Sequence, residues 1–289
     1  MARDREPPLP ESLTSVRQVT VVRADPHGRI VTKDAAAAEE PLDVRLHGRS
    51  FAVIMRTPGD DRALAAGFLF AERIIRRPDD IGAVEHCRHP DRSEAHHVVD
   101  VFIAGERAQD VDRHLDERRR VVANSSCGVC GRASIAELRA ELTPLTAAWT
   151  VRPATISALP DALRARQSRF DETGGLHAAG LFDLDGTCRL SCEDVGRHNA
   201  VDKAVGYMLL EDRVPLGDAI LMLSGRVSFE IVQKAWTAGI PVVAAVSAPT
   251  SLAIDLAREA GITLLAFVRG QSFNIYTHEH RIEALQSAE

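Results

Sequence analysis

Short apolar runs alternate with amphipathic segments through the C-terminal half of the chain. The runs predict strands and the segments between them predict helices: strands over 219–223, 242–246 and 262–268, and helices over 199–210, 229–238 and 251–260. Strands that are apolar along their whole length are typical of a parallel sheet covered by helices on both faces. A hairpin of 176–184 and 187–192 around Asp185-Gly186 precedes them, so we expect a mixed sheet.

The N-terminal half has a looser pattern, which predicts a small α+β unit. Its predicted strands cover 15–24, 43–46, 51–55 and 98–103, and its predicted helices cover 60–75 and 108–119. Helices are also predicted over 133–142 and 155–170, and the alanine run at 35–38 is predicted to be a loop.

These patterns divide the chain into four parts. They are a flexible polar tail over 1–15, a small α+β domain over 16–120, a linker loop and helix over 121–145, and an α/β domain over 146–289.

Composition narrows the class of protein. The chain has 289 residues, 45% of them hydrophobic, which is enough for a sizeable core. Its formal net charge of -6 argues against a general nucleic-acid binder. Residues 1–8 carry charges with no apolar stretch behind them, and no uncharged apolar run is long enough to span a bilayer. We therefore expect a soluble cytoplasmic protein with no membrane partner.

Two thiols three positions apart, Cys127 and Cys130, are the strongest chemical signal in the sequence. Glycines beside both sulfurs leave room for a partner, and Arg118, Arg119, Arg120 and Arg132 supply nearby positive charge. Positive charge lowers a thiol pKa and favours the nucleophilic thiolate, which suits a protein that carries sulfur.

Three other interpretations of the thiol pair remain open. Cys188 and Cys192 would complete a four-ligand structural zinc site, although their place in a hairpin strand indicates buried apolar side chains. A thioredoxin-like redox pair is the second, and a turn with inert cysteines is the third.

Loops after the three predicted parallel strands contain residues that favour anions. Ligands of open α/β sheets bind beyond the carboxyl ends of the strands, where helix N-termini offer free N–H groups. The candidate residues in these loops are Ser224, Gly225, Arg226, Ser247, Arg269, Gly270, Gln271 and Ser272. They predict an anionic, nucleotide-like ligand, although strand ends also need small and turn-forming residues for structural reasons.

Two polar clusters flank the predicted hairpin. His177 lies in the first, at 173–178, and Arg197 and His198 lie in the second, at 193–199. Acid, arginine and histidine at the start of a helix suit a binding site, and they suit a capping and salt-bridge cluster equally well.

Five segments together resemble one family, the formate dehydrogenase accessory sulfurtransferases. They are Ser126-Cys127-Gly128-Val129-Cys130-Gly131, Thr173-Gly174-Gly175-Leu176-His177, Glu193-Asp194-Val195-Gly196-Arg197-His198-Asn199-Ala200-Val201-Asp202-Lys203, Ser224-Gly225-Arg226, and Phe267-Val268-Arg269-Gly270. They occur in the order of the family, and the resemblance covers the chain from about the first predicted hairpin to near the C-terminus.

The resemblance implies a specific activity. Cys127 would receive sulfur from a cysteine desulfurase as a persulfide, with Cys130 assisting. The sulfur would pass to the bis(molybdopterin guanine dinucleotide) form of the molybdenum cofactor before its insertion into formate dehydrogenase.

The resemblance also implies how the cofactor is held and how the chain is built. Phe267, Val268, Arg269, Gly270, Gln271 and Ser272 would contact the cofactor, and a guanine nucleotide would occupy the same site. The C-terminal domain would resemble the cytidine deaminase fold, and the protein would form a homodimer. The zinc signature of the deaminases is missing, because Ala178 and Ala179 follow His177, so no metal site is predicted.

Other functions compete with sulfur transfer. A chaperone would escort the cofactor without forming a persulfide. A thiol–disulfide oxidoreductase would need no nucleotide, and a structural zinc protein would hold stoichiometric metal.

Overall fold

The computed structural model describes residues 14–86, 95–120 and 143–284. Cys127 and Cys130, the predicted helix over 133–142 and nearly all of the predicted tail lie outside these ranges. Within the described ranges, no helix combines the length and the apolar character needed to cross a membrane.

The described residues form twelve strands. They are β1 Val16–Asp25, β2 Gly28–Ala37, β3 Glu40–Leu46, β4 Arg49–Arg56, β5 Ile81–His86, β6 Val98–Ile103, β7 His177–Phe182, β8 Cys188–Asp194, β9 Ile220–Leu223, β10 Val242–Ala245, β11 Thr263–Arg269 and β12 Ser272–Thr277. They also form seven α-helices: α1 Asp61–Ala71, α2 Val111–Arg120, α3 Pro153–Arg164, α4 Ser168–Thr173, α5 Arg197–Leu210, α6 Phe229–Thr237 and α7 Ser251–Glu259.

The C-terminal sheet has six strands in the order β12-β11-β10-β9-β7-β8. Strands β9, β10 and β11 are parallel and β7 runs antiparallel to β9, which confirms the predicted mixed sheet, and β12 also runs antiparallel to β11. Ile220 and Met222 of β9 pack on the face covered by α3, and Leu221 and Leu223 pack on the opposite face with α5, α6 and α7. The sheet is therefore the middle of three layers. The likeness to cytidine deaminases stays a prediction.

A smaller sheet, in the order β4-β3-β6-β5, packs its buried face against α1. Strands β1 and β2 form a separate antiparallel ribbon. A single core cluster contains side chains from the small sheet, from α1 and from the helices on one face of the large sheet. The proposed division of the chain at residues 15, 120 and 145 stays a prediction.

Helices α1 and α5 cross at two glycines. A Cβ atom added at Gly67 would lie 1.9 Å from the carbonyl oxygen of Asp202, and one added at Gly206 would lie 1.9 Å from that of Ala63. Real Cβ contacts are never so short, so only glycine permits this crossing. Because α1 lies on the small sheet and α5 on the large sheet, the crossing fixes the distance between the two sheets.

Several predicted boundaries were wrong for identifiable reasons. The helix predicted over 60–75 ends at Ala71, because Arg73 takes a left-handed φ of 62° and the N–H of Ile74 bonds back to the oxygen of Leu69. The helix predicted over 155–170 is two helices, since the carboxylate of Glu193 accepts the N–H groups of Arg169 and Phe170 and starts α4 anew.

Several strands also differ from the prediction. The alanine run predicted to be a loop continues β2, where Ala35, Ala36 and Ala37 pair with β1. Strands β2, β5 and β12 were not predicted, and each lies at the edge of a sheet.

Replacing Gly67 with alanine tests the helix crossing. The added methyl group has to push two backbones apart, and overpacking of this kind costs about 1–3 kcal/mol of unfolding free energy. Urea denaturation of Gly67→Ala measures the loss. Gly217→Ala is the matched control, because nothing lies within 4 Å of its added Cβ. Equal stability of the two variants would contradict the close crossing.

Candidate functional site at the carboxyl edge of the large sheet

Backbone hydrogen bonds hold the loops after β9, β10 and β11 side by side. The N–H of Val246 donates to the oxygen of Leu223 at 3.1 Å, and the N–H of Val227 donates to the oxygen of Ala248 at 3.1 Å. The N–H of Phe267 donates to the oxygen of Ser247 at 3.3 Å. Helices α6 and α7 begin in the first two of these loops. The edge predicted from the sequence is therefore a continuous surface of the kind that receives ligands in α/β sheets.

His177, Ser224 and Gly225 meet at one end of this edge. Strand β7 runs antiparallel to β9, so its first residue lies beside the last residues of β9. The Ser224 hydroxyl accepts the N–H of Ala178 at 2.8 Å, and the Ser224 N–H donates to the Ala178 oxygen at 3.0 Å. A Cβ at Gly225 would lie 3.1 Å from Nδ1 of His177, so the imidazole occupies the space that glycine leaves free.

Positive charge surrounds His177. Burial lowers the pKa of this imidazole, and the nearby charges of Arg197, His198 and Arg226 lower it further against the opposing effect of Asp194. Nε of Arg197 is buried and makes no hydrogen bond to any described residue, whereas Arg226 is exposed. The result is a neutral imidazole beside two guanidinium groups, a set of donors suited to an anion.

His198 lies in the first turn of α5 and contacts the start of α6. Its Nδ1 lies 3.0 Å from Oε2 of Glu230, and its Nε2 lies 3.0 Å from the hydroxyl of Ser228. Neither Ser228 nor Glu230 was predicted as a site residue. The sequence contains no motif that marks Glu230, because its contact with His198 forms only when the two helices pack together.

The predicted segment 267–272 forms the turn between β11 and β12, at the other end of the edge. Phe267 has a left-handed φ of 54° and is 37% exposed, while Val268 is fully buried in the core and offers no side chain to a ligand. The Arg269 Nε donates to the oxygen of Val246 at 3.3 Å. Gly270, Gln271 and Ser272 are exposed. From β11 to β7 is three strand spacings, about 14 Å, so the edge matches an extended ligand.

Some residues of the segment from Glu193 to Lys203 stabilise the fold, and others lie at the candidate site. The Lys203 ammonium lies 2.8 Å from the Asp194 carboxylate, both fully buried, and donates to the oxygen of Thr57 at 3.0 Å. The Thr57 N–H in turn donates to Asp194 at 3.1 Å. The capping and salt-bridge interpretation is therefore right for Glu193, Asp194 and Lys203, and Arg197 and His198 remain at the candidate site.

Cys188 and Cys192 do not share a site. Cys192 belongs to the core cluster on one face of the large sheet, and Cys188 packs against the cluster on the other face. Burial raises the pKa of the Cys192 thiol, so it stays protonated. The zinc site that would use both cysteines is wrong, and the described residues contain no group of three or more histidine, cysteine or acidic side chains able to hold a metal ion.

The fold and the site together define the class of protein. It is a mixed α/β protein with a basic surface at the carboxyl ends of the strands of its large sheet, long enough to bind an extended ligand. Comparison with known proteins identifies the family within that class. The model of the FdhD/NarQ family matches residues 37–283, and the chain belongs to this family.

Relatives in this family match over most of their length. A protein of Streptomyces avermitilis named sulfur carrier protein FdhD is 48% identical over 288 residues, covering 96% of this chain and 98% of the relative. A protein of Anaeromyxobacter dehalogenans with the same name is 50% identical over 256 residues, covering 86% and 89%. A crystal structure from Desulfotalea psychrophila, described provisionally as a formate dehydrogenase accessory protein, matches with a TM-score of 0.73 and 26% identity over 93% of this chain and 99% of that chain.

Acidification tests the environment of His177. Its pKa in the folded chain lies below the ordinary value of 6.5, so below that pH the unfolded chain binds the proton first. The contribution of His177 to stability is therefore present above pH 6.5 and is lost as the pH falls towards the folded pKa. We expect His177→Gln to lose less unfolding free energy than the wild type between pH 7.5 and pH 5.5, as measured by urea denaturation.

His280→Gln provides the control for this comparison, because His280 is exposed on a different edge of the molecule. Identical acid sensitivity of His177→Gln and the wild type would show that His177 titrates normally.

Proposed function

We propose that the protein accepts sulfur from a cysteine desulfurase as a persulfide on Cys127 and transfers it to the bis(molybdopterin guanine dinucleotide) molybdenum cofactor. The sulfurated cofactor is then inserted into formate dehydrogenase. Cys130 assists, by protecting or releasing the bound sulfur. The protein acts in the cytoplasm as a homodimer, with no nucleic-acid partner.

The thiol pair supplies the chemistry of sulfur loading. The Cys127 thiolate attacks the terminal sulfur of the desulfurase persulfide, a new S–S bond forms on Cys127, and the desulfurase cysteine leaves as a thiolate. Curated relatives that match nearly the whole chain bear the name sulfur carrier protein, which supports this role.

The edge of the large sheet supplies the binding site for the cofactor, which is the substrate here. Arg197, whose buried Nε has no hydrogen-bond partner among the described residues, and Arg226 would bind phosphate oxygens at the end of the edge near His177. Arg269, held on the oxygen of Val246, would bind at the other end. N–H groups at the starts of α6 and α7, other than that of Ala253, would add further donors between them.

One observation carries the proposal more than any other: the basic corner formed by His177, Arg197 and Arg226. Burial and the neighbouring charges lower the pKa of the imidazole and so favour its neutral form beside the two guanidinium groups. A carrier of nucleotide-bearing cofactor needs such a donor set, and a generic thiol–disulfide oxidoreductase does not.

Cys127→Ser tests the sulfur-carrying step. The serine hydroxyl cannot form a persulfide, so the variant is expected to lack the added sulfur after incubation with a desulfurase and cysteine, and to abolish activation of formate dehydrogenase. Mass spectrometry of the intact protein detects one extra sulfur atom of about 32 Da on the wild type.

Cys188→Ser is the matched control and is expected to keep the adduct, since Cys188 is half-buried in β8 and its thiol donates to the oxygen of Leu190. An adduct on Cys127→Ser equal to that on the wild type would refute Cys127 as the carrier. A wild type that activates formate dehydrogenase without any adduct would instead identify a cofactor chaperone.

Arg269→Ala tests the binding edge separately from the thiols. Loss of one charge-assisted contact to phosphate costs about 1.5 kcal/mol, which is about tenfold in affinity. Isothermal calorimetry with guanosine diphosphate measures it, and Arg258→Ala is the control because Arg258 is an exposed arginine paired with Asp255 on α7. Equal affinities of the two variants for guanosine diphosphate would show that Arg269 does not contact the ligand.

A further inference from the structure

Ser228, His198 and Glu230 form a hydrogen-bonded relay that the proposed sulfur transfer does not use. The hydroxyl of Ser228 lies 3.0 Å from Nε2 of His198, and Oε2 of Glu230 lies 3.0 Å from Nδ1 of the same ring. A hydroxyl, an imidazole and a carboxylate in this order constitute the arrangement that activates serine nucleophiles on unrelated folds.

The Ser228 hydroxyl is available for this role. Ser228 occupies the N-cap position of α6, where a serine side chain normally accepts an N–H from the first turn, yet within the described chain it makes no such capping bond. At the corresponding start of α7, the Thr250 hydroxyl does accept the N–H of Ala253, at 3.3 Å. The hydroxyl of Ser228 is directed to His198 instead of to its own helix.

Glu230 keeps His198 in the tautomer that the relay needs. Burial raises the pKa of the Glu230 carboxyl, but the hydrogen bond from His198 and the charges of His198, Lys234 and Arg197 outweigh it, so the net pKa is lowered. An ionised carboxylate accepts the proton on Nδ1. When the ring is neutral with its proton on Nδ1, the lone pair on Nε2 faces the Ser228 hydroxyl and can accept its proton.

Positive groups flank the relay and indicate the class of substrate. Arg197 precedes His198 in the chain, and Arg226 lies two residues before Ser228. The start of α6 adds backbone N–H groups that have no partner within the helix, where a developing oxyanion would be stabilised.

We propose that Ser228 is an activated nucleophile that takes acyl groups from esters bearing an anionic group. Its Oγ attacks the ester carbonyl, the Oγ–C bond forms, and the alkoxide leaves. His198 accepts the Oγ proton and passes it to the leaving oxygen. Water then attacks the acyl-serine by the same route, which releases the acid and restores the hydroxyl.

A fluorophosphonate probe tests the nucleophile on the full chain. The Ser228 Oγ displaces fluoride from phosphorus and the proton passes to His198, so the expected result is one covalent adduct that peptide mass spectrometry locates at Ser228. Ser228→Ala and His198→Gln are expected to lose the adduct, and Glu230→Gln to slow its formation at least tenfold. Ser251→Ala, at the start of α7, is the control and is expected to keep the adduct.

A second measurement tests the substrate class. Mono-p-nitrophenyl glutarate is expected to be hydrolysed at least tenfold faster than neutral p-nitrophenyl acetate, and Arg226→Ala is expected to reduce that preference at least fivefold. Absence of the adduct from the wild type, or an adduct that survives in Ser228→Ala, would overturn the proposal. Equal rates for the two esters would overturn the anionic class. Neither measurement depends on Cys127, so failure here leaves sulfur transfer untouched.

Discussion

The buried ion pair of Asp194 with Lys203 is the interaction on which the rest of the structure depends. Both charges are fully buried, and removal of one partner from such a pair typically costs about 3–5 kcal/mol. Thr57 completes the pair from the end of β4, since its N–H donates to Asp194 and its oxygen accepts from Lys203. The N-terminal sheet therefore takes part in building the junction of β8 and α5, from which Arg197 and His198 project.

A steric constraint acts alongside this ion pair. Gly67 and Gly206 allow α1 and α5 to cross with backbone in contact, so the helix that carries the site residues is held on one side by the N-terminal unit and on the other by the large sheet. Polar and steric constraints thus act on the same helix. The position of the site at the carboxyl edge therefore depends on both sheets, although all its described residues come from the C-terminal part of the chain.

The sequence predicted most accurately those strands whose hydrophobic pattern is set by burial. Strands β9, β10 and β11 are apolar along their length because helices cover both faces, and their ends were found to within one or two residues. Strands β5 and β12 are edge strands with mostly exposed or half-buried residues, so they lack such a pattern. Loop chemistry predicted Ser224, Arg226 and Arg269. The partners of Asp194 and His198 were not predictable, because Thr57 and Glu230 meet them only through tertiary packing.

Because Gly225 and His177 are in contact, the residue at one position restricts which residues fit at the other, although the two are far apart in the sequence. A β-carbon at 225 would lie 3.1 Å from Nδ1 and 3.3 Å from Cε1 of His177, so the ring would have to move by a few tenths of an ångström. A residue larger than glycine at 225 therefore requires the side chain at 177 to shift or to become smaller. Substitutions at these two positions are expected to be correlated in evolution.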